Sequence, residues 1–144
     1  DAVDLSPEAL DVARINVDQH ELADRITLIA SNGLQSVNGP YDLILCNPPY
    51  VNAQSMKALP AEYLAEPELA LASGEDGMDF TRQLVADLRA QPDKYMSADA
   101  VMVLEIGNER EHFERAFPDM PVFWLHTSSG DDQVLLVTRE ALLA

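Results

Sequence analysis

At 144 residues, 47% of them hydrophobic, the chain is long enough to bury a sizeable core and too apolar for a disordered segment. With 25 Asp and Glu against 9 Lys and Arg, its formal net charge is -16, and its few cations form no basic stripe, which excludes an ordinary nucleic-acid binder and favours a basic protein or a neutral small molecule as partner. Cys46 is the only cysteine, no apolar run approaches the ~20 residues of a membrane span, and no signal-peptide order opens the chain, so disulfides, thiol metal sites and membranes give way to a soluble, cytoplasmic reading.

No repeat or linker divides the sequence, and residues 1–144 read as part of a single domain. Ala2-Val3 ends a short strand. Ser6 then caps a helix with Pro7 at its first position and Leu10, Ala13 and Val17 on one face. Ile26 to Ala30 and Tyr41 to Cys46 are short apolar runs bounded by Asn-Gly and Gly-Pro, the pattern of parallel strands buried on both faces. Phe80 to Arg89 has the spacing of an amphipathic helix, Ala100 to Ile106 of a further strand, and Glu109 to Phe117 of a short helix stopped before Pro118. Val122 to His126 and Gln133 to Thr138 read as an antiparallel hairpin joined by Thr-Ser-Ser-Gly-Asp-Asp. The expected fold is an α/β sheet, mostly parallel with an antiparallel C-terminal hairpin.

Open α/β sheets bind ligands beyond the carboxyl ends of their strands, and there Tyr41-Asp-Leu-Ile-Leu-Cys46 runs straight into Asn47-Pro48-Pro49-Tyr50. The two prolines remove two amide donors and stiffen the turn. The side-chain oxygen of Asn47 and the carbonyl of Pro48 can accept both hydrogens of a planar -NH2 group, and Tyr50 can stack on the same plane. Out of context, Asn-Pro-Pro is equally a plain turn. Asp4, between a strand and a helix, stands where an acid accepts both hydroxyls of a ribose, although it also suits the positive end of the helix it precedes. Asn32-Gly33 ends the next strand, either as an adenine contact or as an ordinary turn. Cys46 alternates to the opposite strand face as a buried, inert thiol, the three histidines read as surface or packing groups, and Glu105 is unassigned. The acids from Glu62 to Asp79 form a solvated face or meet a basic partner.

Taken together, these segments resemble the HemK family of N5-glutamine methyltransferases. The likeness runs from Ala2-Val-Asp-Leu-Ser-Pro-Glu-Ala-Leu10 through Asp42-Leu-Ile and Asn47-Pro-Pro-Tyr50 to Glu66-Pro-Glu-Leu-Ala-Leu71, Gly74-Glu-Asp-Gly77 and Leu104-Glu-Ile-Gly107. The resemblance implies a class I Rossmann-like methyltransferase fold and S-adenosylmethionine as cofactor. It implies that Asp4 binds the ribose, that Asn32 and Gly33 lie beside the adenine, that Asn47 touches the cofactor too, and that Asn47, Pro48, Pro49 and Tyr50 hold a substrate glutamine, Asn47 and Pro48 acting in catalysis. Leu59-Pro-Ala-Glu-Tyr63 followed by Glu66-Pro67 looks like the branch acting on large-subunit ribosomal protein three, a basic partner, rather than the release-factor branch.

This sequence departs from that pattern at Asn32-Gly33, where many relatives have Asp and a bulky residue. The family's first strand and glycine-rich loop are expected upstream of Asp1, so that residues 1–144 read as a C-terminal part, inactive alone and prone to self-association through unpaired strand edges. Two other classes compete: a DNA adenine N6-methyltransferase, opposed by the net charge, and an inactive acidic protein-binding module.

Overall fold

The computed structural model describes residues 1–60, 63, 66–128 and 130–144. Ala61 and Glu62 of the Leu59–Tyr63 motif, with Ser129 of the hairpin connection, lie outside the described residues. Contacts divide the chain into two compact units, Asp1–Gly39 and Pro40–Ala144.

In the first unit, β1 (Ala2–Asp4) and β2 (Leu28–Ala30) pair in parallel, with Asp4 opposite Ala30. Helix α1 (Pro7–Gln19) lies between them in sequence. Its start follows the capping chemistry of the sequence, the Ser6 Oγ accepting the Ala9 amide at 3.1 Å and Pro7 occupying the first turn, where an amide has no helical partner anyway. Leu10 is buried and Ala13 and Val17 are half-buried, so the expected face is the packed one; Val12 and Ile15 on the other side are exposed. The second strand is shorter than Ile26 to Ala30 because the Arg25 and Ile26 amides both bond the Leu22 carbonyl, which keeps those residues in a turn.

The second unit runs β3 (Tyr41–Cys46), α2 (Ala53–Met56), a 3-10 turn (Glu68–Ala70), α3 (Asp79–Ala90), α4 (Pro92–Tyr95), β4 (Met96–Glu105), α5 (Arg110–Ala116), β5 (Phe123–Thr127), β6 (Gly130–Thr138) and α6 (Arg139–Leu143). Its sheet has the order β3-β4-β6-β5, with β3 and β4 parallel and the last two strands an antiparallel hairpin, the architecture expected of the sequence. β4 begins at Met96 rather than Ala100. Ser97 and Asp99 hide its first half from a reading by hydropathy, yet the Ser97 hydroxyl bonds the Asp42 carboxylate of β3 at 2.5 Å. β6 likewise begins at Gly130, so Asp131 and Asp132 are strand residues, and the Thr127 hydroxyl donates to the Gly130 carbonyl at 2.8 Å.

One expectation fails at both strands read as buried on both faces: in β2, Leu28 and Ile29 are only half-buried and Ala30 is exposed. β3 is not buried on both faces: Leu43 is 51% and Leu45 72% exposed, because among the described residues β3 has a strand partner on the β4 side only and nothing covers those two side chains.

The core of this unit lies on β4 and β6, where the opposed pairs Met102–Val137 and Leu104–Leu135 are all fully buried. Leu84, Val85 and Leu88 of α3 and Leu142 of α6 join the same core. Phe113 of α5 stands edge-on to Trp124 at 6.0 Å and tilted to Phe117 at 5.0 Å, the geometry that aromatic quadrupoles favour. Because Phe113 is 2% exposed, Phe113→Ala is expected to lower stability by about 3–5 kcal/mol. Urea unfolding checks this, with a lower midpoint and an unchanged slope.

Candidate functional site

β3 ends at Cys46, opposite Leu104 of its parallel neighbour, and the chain leaves the sheet through Asn47-Pro48-Pro49-Tyr50. Asn47 is exposed, Pro48 buried, and Pro49 and Tyr50 half-buried. The turn therefore has a fixed base and an exposed amide at its start. Cys46 just before it is half-buried rather than fully buried, and burial pushes its pKa up to about 11, which disfavours the reactive thiolate.

Tyr50 is enclosed by two glycines in the left-handed region. A Cβ at Gly107, whose φ is 54°, would stand 2.5 Å from the Tyr50 ring, and one at Gly77, whose φ is 76°, would stand 2.1 Å from the Tyr50 carbonyl oxygen. Side chains are thus excluded at both positions by space as well as by backbone conformation. The phenol donates to the Glu105 carboxylate at 3.3 Å, which gives a role to an acid that the sequence leaves unassigned. Partial burial, first, and the neighbouring Glu105 charge, second, hold the phenol above its ordinary pKa.

The next residue is held as firmly. The Val51 amide donates to the Leu71 carbonyl at 2.8 Å and its carbonyl accepts from the Ser73 amide at 3.1 Å, a short parallel bridge between the motif and the Glu66–Leu71 segment. After that bridge the Gly74-Glu-Asp-Gly77 turn, with both glycines at positive φ, leads into α3. Ser73 Oγ accepts the Phe80 amide, Asp76 accepts the Met78 amide, and the Arg82 guanidinium beside Asp76 holds its carboxyl down to about 2. At least this acid of the Glu62–Asp79 run serves the turn itself. Farther on, the Asn52 amide donates to the Glu109 carboxylate at 2.7 Å, both groups being buried. Gly77, Gly107, Asn52 and Glu109 all escaped the sequence reading as parts of a site. Only the Gly-Glu-Asp-Gly and Glu-Ile-Gly motifs pointed to the glycines.

In the first unit, Asp4 is exposed at the carboxyl end of β1, where one oxygen accepts the Ser6 amide at 2.8 Å. The helix-start role is therefore real, and the second carboxylate oxygen is a further acceptor. Asn32 and Gly33 follow β2 at the same end of the parallel pair, Gly33 with φ 55°. Their turn is tied by Ser31, whose hydroxyl donates to the Gly33 carbonyl and accepts the Ser36 amide, both at 2.9 Å. Among the described residues, no cluster of His, Cys, Asp and Glu could hold a metal ion and no helix is long and apolar enough to cross a membrane.

A parallel strand pair opening into an Asn-Pro-Pro-Tyr turn, in an α/β chain with an antiparallel end, is the arrangement that the resemblance to methyltransferases implies. The Methyltransferase small domain family matches residues 1–76, and the chain belongs to that family. A protein of Bordetella pertussis (strain Tohama I) named ribosomal protein uL3 glutamine methyltransferase is 55% identical over 99% of this chain and 47% of its own length. Proteins of the same name from Neisseria gonorrhoeae (strain FA 1090), 50% identical over 99% of this chain and 46% of their own length, and Burkholderia pseudomallei (strain K96243), 45% identical over 100% and 48%, are similar to it as well. The chain spans about half the length of the curated relatives it matches.

The Tyr50 environment makes a pH prediction. Removing the Glu105 charge favours the phenolate, so Glu105→Gln is expected to lower the Tyr50 pKa while leaving it above the ordinary phenol value, because burial is the larger cause and persists. Phenolate absorbance, corrected with a Tyr50→Phe titration, reads this; an unchanged midpoint would show that Glu105 does not act on Tyr50.

Proposed function

We propose that the full-length protein transfers a methyl group from S-adenosylmethionine to the side-chain amide nitrogen of a glutamine in ribosomal protein uL3. The observation that carries this reading is the clamped Asn47–Tyr50 turn at the carboxyl end of β3, in a chain whose relatives at 45–55% identity bear that activity in their names.

The side-chain oxygen of Asn47 and the carbonyl of Pro48 accept the two amide hydrogens of the glutamine, with Pro49 stiffening the turn and Tyr50 bounding the amide plane. An amide nitrogen is a weak nucleophile because its lone pair is delocalised. Two acceptors on its hydrogens raise electron density on nitrogen and fix the direction of its face. S-adenosylmethionine, when bound, supplies the electrophilic methyl. No side chain needs to form a covalent bond, and the high pKa of Cys46 suits that.

The donor set of the first unit fits the nucleoside part of that cofactor. Asp4 offers an exposed carboxylate for the ribose hydroxyls, and the Asn32-Gly33 turn lies at the end of the neighbouring parallel strand, where an adenine amine can be met. The glutamine-directed reading is favoured over DNA adenine methylation by the net charge of -16, which repels phosphates and attracts a basic ribosomal protein.

In the full-length protein, Asn47→Ala is expected to remove most turnover on uL3, at least the ~1–3 kcal/mol of one oriented hydrogen bond, while S-adenosylmethionine affinity by calorimetry changes little. Near-normal methylation, read as the mass of the uL3 glutamine peptide, would refute the role. Association with uL3 is expected to slow as salt rises from low to physiological concentration, the on-rate falling most. Salt-independent kinetics would leave the acidic surface a role in solubility alone.

A further inference from the structure

We infer that Glu109 is a positioning residue for the Asn47–Tyr50 turn, acting through the side chain of Asn52; the inference rests on the reading of that turn as the substrate grip. Glu109 stands immediately before α5 and makes no side-chain cap to that helix. Its carboxylate is buried instead, one oxygen accepting from Asn52 Nδ2 at 2.7 Å and the other meeting His112 Nδ1 at 2.5 Å. A carboxylate taken out of water is unfavourable unless its oxygens are bonded, and here both are.

Asn52 is itself committed on both sides of its amide. Its oxygen accepts the Ser55 amide at 2.8 Å and starts α2, so its nitrogen is left to face Glu109. Between Asn52 and the motif stands only Val51, whose amide and carbonyl are both used by residues 71 and 73. Gly77 lies close to both the Glu109 stem and the motif: a Cβ there would lie 3.3 Å from Glu109 Cγ and 2.1 Å from the Tyr50 carbonyl oxygen. Glu109 therefore ties the corner between β4 and α5 to the exit of the turn. A helix-start acid with no further duty would have no reason to be buried facing a residue 57 positions away.

Reversing the donor and acceptor tests this. In the full-length protein, Asn52→Asp keeps the cap to Ser55 but sets two carboxylates against each other, and adding Glu109→Gln restores a donor between them. Asn52→Asp is expected to lower kcat on uL3 about tenfold or more with KM for uL3 and cofactor affinity nearly unchanged, and the double variant is expected to recover most of that loss. Amide hydrogen exchange of Val51 and Ser55 should accelerate about tenfold in Asn52→Asp and return in the double variant. The inference is overturned if Asn52→Asp exchanges and turns over normally, if the double variant is no better than the single one, or if kcat falls only in proportion to global stability. Should the wild-type protein methylate no glutamine of uL3, the substrate reading fails separately, and the exchange data alone decide whether Glu109 holds the turn.

Discussion

Everything near the end of β3 depends on there being no side chain at two places. The Tyr50 ring and the Tyr50 carbonyl fill the space that Cβ atoms at Gly107 and Gly77 would occupy, and both glycines also adopt a backbone that other residues resist. Gly77 closes the loop that begins at Ser73, and Gly107 ends the run out of β4. The two therefore bring a loop and a strand end against one aromatic residue, and the Val51 bridge to Ala72 then follows as backbone pairing. Prolines at 48 and 49 stiffen the turn from within, while the glycines fit it from outside.

Charge is used locally in this protein before it is used globally. Asp76 is spent on Arg82, Glu105 on the Tyr50 phenol, Glu109 on Asn52 and His112, and Asp4 in part on the amide of Ser6. Arg110 lies over Trp124 at 4.4 Å while its guanidinium is shared by Glu114 and Asp132. Acids still outnumber bases, so the field around the molecule remains negative after these pairings.

Elements whose signals are local were legible in the sequence. The cap and proline of α1, the bounds of β3, the periodicity of α3 and the existence of the terminal hairpin all follow from short-range chemistry, and so did the Asn-Pro-Pro-Tyr turn. What escaped depends on contacts distant in sequence. β4 carries Ser97 and Asp99 in its first half because its register with β3, not hydropathy, makes it a strand there. Leu43 and Leu45 looked like core and are exposed, since burial depends on what covers a strand and periodicity cannot report that. α2, α4 and α6 are single turns with too few residues to show a period. Glu109 read only as the first residue of a short helix because its partner is 57 residues away.

The cysteine beside the turn has a further consequence. Burial pushes the Cys46 thiol up to about 11, so the ionised form that oxidants and alkylating agents attack is disfavoured at neutral pH. A sulfur atom thus stands one residue from the proposed point of methyl transfer in its less nucleophilic, protonated form. The strand there gains a compact, polarisable side chain whose thiolate burial disfavours.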